Sequence, residues 1–412
     1  MRPICFVVIL ACAAAALPAS AQVTIVQGES LSGLIRKLYG GDGITLDASA
    51  GHDAHFGDTL SLQEFTDVLQ RSLQSRSVFP IPSAAGIFSY HFDEETATYQ
   101  RVDSTLGPLL ADRATTGGKG NVTLSIGYTF ADFSLVDGRE QIELTLEHCK
   151  TFDCVGDQPD HPVFQDVIKV DMTLRLKSQA VWTSVIYGLT DRIDVGLLVP
   201  YLRNDLTVMT DARIERHPDS SPNVHKFDPL RETPGQFGTA HAIGLGDMVV
   251  RAKYRFADLP FDLAVLGDAV LPTGDRENFL GTGEARIRAM LLASRTGTRF
   301  SPHFNLGVDI NTGDEDLSSV EYRLGSEWGV TPRFTLVGDL LGTVRPALGD
   351  SFTAAALETQ DLIGRSEIDF ALGGKWKVRD NSVLLFNFLH PANGAGLRPE
   401  TSVTFGIQMA LQ

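Results

Sequence analysis

From about residue 120 to the end of the chain, hydrophobic and polar residues alternate almost one for one. In SVEYRLGSEWGV, Val320, Tyr322, Leu324 and Trp328 fall on one face and Glu321, Arg323 and Glu327 on the other, the period of a strand with one apolar side. Phe334, Leu336, Leu340 and Val344 alternate in the same way with Arg333, Thr335, Asp339 and Thr343. So do Met248, Val250, Ala252, Tyr254 and Phe256 with Asp247, Arg251, Lys253 and Arg255. Ala285, Ile287, Ala289 and Leu291 oppose Glu284, Arg286 and Arg288, and Ile368, Phe370, Leu372 and Trp376 oppose Glu367, Asp369 and Lys375. No helical period of substantial length interrupts the series.

The links between these segments alternate in length. Short ones at 189–191, 257–259, 296–298, 330–331 and 379–381 interleave with longer polar ones near 215–242, 271–283, 311–318, 346–364 and 391–398. Tight turns at one end and long loops at the other mark a transmembrane β-barrel. A soluble β-sandwich also alternates, but its inward faces must be apolar, whereas here the second face is charged. Tyr187, Tyr254, Phe256, Phe261, Trp328, Phe334 and Trp376 gather near the short turns, where an interfacial aromatic belt sits. The fold class is therefore all-β, an antiparallel transmembrane barrel of about twelve to fourteen strands. Thirteen segments run from Gly120 to Leu411, and a barrel with both ends on one side needs an even number. Either residues 86–102, GIFSYHFDEETATYQRV, add a fourteenth, or one early segment is miscounted and the number is twelve.

Residues 22–118 read differently. Ser61-Leu62-Gln63-Glu64 is a capping-box pattern, and Leu62, Phe65, Val68, Leu69 and Leu73 recur at helical spacing. A second short helix is expected around Leu31 to Tyr39, with Gly40-Gly41 and Ser83-Ala84-Ala85-Gly86 as breakers. Before this region, Arg2 and the apolar run Ile4 to Ala16 lead into LPASA, a signal peptide expected to be cut after Ala21. Cys12 as a lipidation site is disfavoured by Leu10 and by the short stretch before it. The domain division expected is thus a signal peptide at 1–21, an N-terminal plug or cap at 22–118 and the barrel at 119–412.

Charge and cysteines narrow the chemistry. The formal net charge of −16, one unit more negative once Arg2 is removed, excludes nucleic acid as a partner, which needs a basic face. Cys149 and Cys154, in CKTFDC, are close enough to form a local disulfide in an oxidising compartment. His148 and His161 flank them, but the spacing matches no standard zinc pattern, so no metal and no cofactor are expected.

LPTGDRENFLGTG, residues 271–283, resembles a phosphate loop at first sight. It lacks a GK[ST] ending and is followed by strand, so no helix N-terminus is there to hold phosphate. Pro272, Thr273, Gly274, Gly281 and Gly283 instead mark a long outer loop whose glycines permit positive φ.

With YGLTDRIDVGLLVPY (187–201), GLGDMVVRAKYRF (244–256) and SPHFNLGVDINTG (301–313), this loop resembles the bacterial outer-membrane family named after the MetA pathway of phenol degradation, over roughly residues 165–345. The resemblance implies an outer-membrane barrel that admits small, often aromatic or hydrophobic compounds, akin in architecture to long-chain fatty-acid (FadL-like) channels. It implies as partners outer-membrane lipid and lipopolysaccharide, the barrel-assembly machinery and a small-molecule substrate. The chain departs from the usual barrel pattern in ending Met409-Ala410-Leu411-Gln412, with Phe405 the nearest aromatic. Residues 22–118 would then plug the lumen or cap its mouth.

The lumen and selectivity candidates are Asp247, Arg251, Lys253, Arg255, Glu284, Arg286, Arg288, Glu321, Arg323, Glu327, Asp339, Glu367, Asp369 and Lys375. Both signs occur on neighbouring segments, which suits either cross-strand ion pairs or a charged constriction. If the N-terminal region is a plug, Asp42, Asp47, Asp53 and Asp58 are available to meet Arg251, Arg286 or Arg288. A structural or adhesive barrel without transport is the alternative function. A hydrolase ranks below it: His225 with Asp228, and His303, lack a nucleophile motif.

Overall fold

The computed structural model describes residues 30–38, 44, 63–74, 90–93, 98–101, 105–136, 138–147, 166–219, 226–227, 235–256, 261–346 and 363–411. Two short helices come first, α1 (Leu31–Arg36) and α2 (Gln63–Gln74). Ser30 caps α1 by accepting from Gly33 N at 3.1 Å, which satisfies one of the amides a helix start leaves free. β1 (Tyr90–Asp93) and β2 (Thr98–Arg101) pair only with each other among the described residues. The described part of 86–102 therefore adds no stave to the barrel: its two short strands pair with each other.

The barrel begins with β3 (Val122–Val136) and continues through β4 (Gln141–Glu147), β5 (Val167–Thr190), β6 (Ile193–Glu215), β7 (Gly235–Leu245), β8 (Met248–Arg255), β9 (Asp262–Leu271), β10 (Arg286–Ser294), β11 (Phe300–Asn311), β12 (Ser319–Thr331), β13 (Phe334–Val344), β14 (Ser366–Arg379), β15 (Ser382–Pro391) and β16 (Leu397–Leu411). All pairings are antiparallel, and β16 closes on β3. These strands make a closed barrel of twelve. The reason is register. β5 pairs with β3 over Phe133 to Val122 and with β4 over Glu147 to Gln141, so β3 and β4 lie end to end along one neighbour. β7 and β8 likewise lie end to end along β6, interrupted at Gly246-Asp247. The two uninterrupted strands, β5 and β6, pair with each other from Thr190–Ile193 out to Val167–Glu215, so their hairpin stands well beyond the rest of the wall at the long-loop end.

Period two decides what each face meets. On β10, Arg286, Arg288, Met290, Leu292 and Ser294 are buried while Ile287 and Leu291 are exposed. Exposed Val181, Val185, Leu197, Val250, Val265, Phe304, Leu306, Leu324, Leu372, Phe386 and Phe405 continue that apolar outer surface around the wall, as a barrel with a lipid-facing exterior requires. Near the short turns, Tyr254 meets Phe256 edge-on and Phe300 stacks on Trp328.

Candidate functional site

The bore is divided along its length. At the long-loop end the inward side chains of β5 and β6 are mostly apolar, among them Ile168, Val170, Met172, Leu174, Leu206 and Val208, with Asn204 and Thr210 of β6 buried beside them. α1 and α2 are set into this chamber through Leu31, Leu34, Ile35, Phe65 and Leu69, all in one buried cluster with the wall. Gly238 of β7 makes room for α1: a Cβ there would stand 2.9 Å from Leu34 Cδ1.

The loop 272–285 folds inward over the same chamber. Leu280 is buried in it, and Asn204 Nδ2 donates to Phe279 O at 2.7 Å. Asp247, at the break between β7 and β8, accepts from Gly274 N at 2.9 Å, Thr282 N at 2.7 Å and Thr282 Oγ1 at 2.8 Å. Thr273 Oγ1 donates to Gly246 O at 2.7 Å. Gly281 packs so closely on Gly274 that a Cβ would meet its Cα at 2.6 Å, and Gly283 adopts φ +73°, a conformation that favours glycine. The loop then grips α1: Asn278 Oδ1 accepts from Leu31 N at 3.2 Å, and Glu277 takes Ser32 Oγ and Arg36 Nη2. The hydrogen bond from Ser32, with Arg36 nearby, holds the Glu277 carboxyl below its ordinary range. Glu284 stays in the loop, 3.9 Å from Arg276.

At the short-turn end, residues 105–118 cross the bore as an extended strap. Its amides are satisfied by wall side chains, not by a strand: Leu106 N donates to Thr335 Oγ1 (2.9 Å), Gly107 N to Glu327 Oε2 (3.0 Å), Leu110 N to Asp339 Oδ2 (3.2 Å) and Ala114 N to Ser294 Oγ (3.1 Å). Gly117 N donates to the Asp194 carboxylate at 3.0 Å. Leu106 packs on Val383 and Ala410, Leu109 on Val337 and Leu385, and Ala114 on Ala264, Leu266, Met290 and Leu292. The strap thus touches opposite walls of the barrel at once.

Most of the sequence-selected charges lie around this strap. Arg251 is bidentate to Asp268 (Nε–Oδ1 2.7 Å, Nη2–Oδ2 2.8 Å) and reaches Asp112 of the strap at 3.0 Å. Lys253 Nζ donates to Asp112 Oδ1 at 3.2 Å and to Arg113 O at 3.1 Å. Arg286 and Arg288 share Asp309, and Arg288 also meets Glu321 at 3.3 Å. Arg323 donates to Glu321 at 2.8 Å and to Leu110 O at 3.0 Å. Glu327 takes Arg113 of the strap through both oxygens, at 2.6 and 2.7 Å. His303 lies between Glu327 and Asp339, 3.9 and 3.6 Å from their oxygens, so its ring faces carboxylates. Lys375 Nζ donates to Gln408 at 3.2 Å. Arg255 pairs with Asp262 at the short-turn rim, Glu367 with Arg345, and Asp369 with Arg398.

Asp112 and Arg113 carry no sequence signal: LLADRATTGG shows neither period two nor a helical repeat. Asp268 and Asp309 alternate with apolar neighbours and were accessible to the same pattern that selected their partners. Cys149, Cys154, His225, Asp228 and the acidic set Asp42, Asp47, Asp53 and Asp58 lie outside the described residues, as does the signal segment. The carboxylates that meet Arg251, Arg286 and Arg288 in the described bore are Asp112, Asp268, Asp309 and Glu321.

Residues 167–396 match the family described as "Putative MetA-pathway of phenol degradation". No curated protein matches the chain. Among solved structures, an outer membrane channel from Pseudomonas putida F1 aligns at 12% identity over 72% of this chain and 98% of that one, with a TM-score of 0.44. A Pseudomonas aeruginosa FadL homologue aligns at 9% identity over 80% and 95%, TM-score 0.36, and the Ralstonia pickettii toluene transporter TbuX at 10% over 71% and 89%, TM-score 0.32. Likeness at this level assigns no activity to this chain.

Proposed function

The chain belongs to the family of the MetA pathway of phenol degradation, and from that membership and the make-up of its bore we propose that it is an outer-membrane channel for small hydrophobic or aromatic molecules. The observation that carries this is the apolar lining of the bore at the long-loop end, which α1, α2 and the loop 272–285 cover and which a water-filled pore would keep polar. An apolar solute gains by leaving water for such a lining.

In this reading the long loops face the exterior and the short turns the periplasm. The chamber receives the solute beneath the loop 272–285, and residues 22–118 act as the plug that keeps the bore shut to water. The buried charges around the strap set what passes the narrow end. Sec-type export, folding by the barrel-assembly machinery and contact of the outer rim with lipopolysaccharide complete the proposal. The chain is read as a channel and not an enzyme.

The test is uptake of a radiolabelled neutral monoaromatic hydrocarbon by outer-membrane vesicles with and without the protein. Faster entry with the protein is expected. Equal rates would favour a structural barrel, a reading to which the strap-filled bore also lends support.

A further inference from the structure

Asp112 is a member of the buried charge lattice that belongs to the strap and not to the wall. Its carboxylate reaches Arg251 Nη1 at 3.0 Å and Lys253 Nζ at 3.2 Å. Asn305 holds the same residue's main chain on both sides, accepting from Asp112 N at 2.7 Å and donating to Asp112 O at 2.8 Å. The main chain is therefore fixed by one wall amide, and a rotation of the Asp112 side chain alone would vacate the cradle.

Charge balance gives that carboxylate a defined role. Among the described residues of this layer, the wall contributes Arg251 and Lys253 from β8, Arg286 and Arg288 from β10, and Arg323 from β12. Against these five cations stand four wall anions: Asp194 of β6, Asp268 of β9, Asp309 of β11 and Glu321 of β12. Asp112 supplies the fifth. A carboxylate is needed at this place because a buried charge without a counter-charge is costly.

What lies next to the cradle suggests what else could bring one. Two residues toward the long-loop end, Val249 precedes Arg251 on β8 and Val270 follows Asp268 on β9. Both turn inward and join Leu198 and the fully buried Trp182 in one apolar cluster. Two strand residues span about 7 Å. The para carbon of a benzoate lies about 5 Å from its carboxylate oxygens, so a ring whose carboxylate sits in the cradle comes within van der Waals reach of this cluster.

We infer that Arg251 and Lys253 form a carboxylate site for small monocyclic aromatic acids, and that Asp112 occupies it as an internal stand-in which such a ligand displaces. The ring of the ligand lies toward Trp182, Leu198, Val249 and Val270, and its carboxylate takes the two hydrogen bonds that Asp112 gives up. The inference deepens the channel reading by naming a substrate class, but binding can be measured without transport.

The probe is benzoate, with benzamide as its uncharged counterpart, titrated calorimetrically into purified full-length protein in detergent at neutral pH. Asp112→Ala is expected to bind benzoate about tenfold more tightly or better than the unaltered protein, the scale of a charge-assisted hydrogen bond. Adding Lys253→Met should remove the gain, and benzamide affinity should not change. If Asp112→Ala lacks heat-modifiable migration, Asp112→Asn, which keeps the shape and removes the charge, is measured in its place with the same expectation. Equal benzoate affinity with and without the substitution, or an equal gain for benzamide, overturns the site. Equal hydrocarbon entry into vesicles with and without the protein, with the benzoate gain intact, would overturn the channel reading alone.

Discussion

Replacing Glu327 with alanine should release the strap while leaving the wall in place. In the native state Glu327 and Arg113 are fully buried, the pair is bidentate at 2.6 and 2.7 Å, and Glu327 Oε2 also accepts from Gly107 N at 3.0 Å. The substitution takes the carboxylate away from a buried guanidinium, which keeps Thr105, and orphans a buried amide. Breaking a buried pair by removing one partner costs about 3–5 kcal/mol, so the strap's opening equilibrium should shift by about a hundredfold or more. The barrel ladder loses no main-chain hydrogen bond, because Glu327 contributes only its side chain to the strap. Hydrogen exchange followed by mass spectrometry, on protein in detergent, reads both parts at once. Peptides covering residues 105–118 should exchange about a hundredfold faster or more, and peptides from β12 and β13 should stay protected. Arg113→Met combined with Glu327→Met, which removes both charges, should recover part of the protection, since an apolar pair can stand where an ion pair stood. Unchanged exchange over 105–118 in Glu327→Ala would refute the claim that this pair anchors the strap.

Three further outcomes follow from other contacts. Because Glu277 is held below its ordinary carboxyl range by Ser32 and Arg36, its contribution to docking α1 is present above the unfolded-state value and fades as pH falls through the lowered one; a spin label at Lys37 should gain mobility on acidification, and Glu277→Gln should abolish that dependence. Gly127→Ala would place a Cβ 2.1 Å from Trp182 Cζ2, so it should destabilise by about 1–3 kcal/mol as overpacking does, seen as a lower temperature for loss of heat-modifiable migration. Leu291→Arg on the lipid-facing side of β10 should cost about 2–4 kcal/mol in reversible folding into lipid vesicles, and a cost near zero would contradict the outward placement of that face.

The barrel was legible in the sequence because its physics is local. A residue two places along a strand returns to the same side, so one pass over β8, β10, β12, β13 and β14 separates the faces. The number of staves was less legible, because it depends on which residues lie end to end. Nothing in QIELTLE or GQFGTAHAIGL says that each continues a neighbour's line, and only pairing along the long strands β5 and β6 decides it. The alternation also places Arg251 opposite the apolar Val250 and Ala252 without disclosing its partners, since Asp112 is 139 positions away. The strap was opaque for a related reason. Its main chain bonds to side chains, and such bonding imposes no period.

The strap is continuous with β3, and β3 is also the strand on which β16 closes, from Val122 opposite Leu411 to Val136 opposite Leu397. The cylinder's seam therefore joins the first wall segment to be synthesised and the last. A finished cylinder offers no side door through which α1, α2 and the strap could be threaded, and they precede the wall in the chain. They are therefore made before the wall that encloses them, and β3, which carries the strap into the wall, waits for β16 as its last partner. The order of synthesis is thus written into the topology: the occupant leads and the container follows.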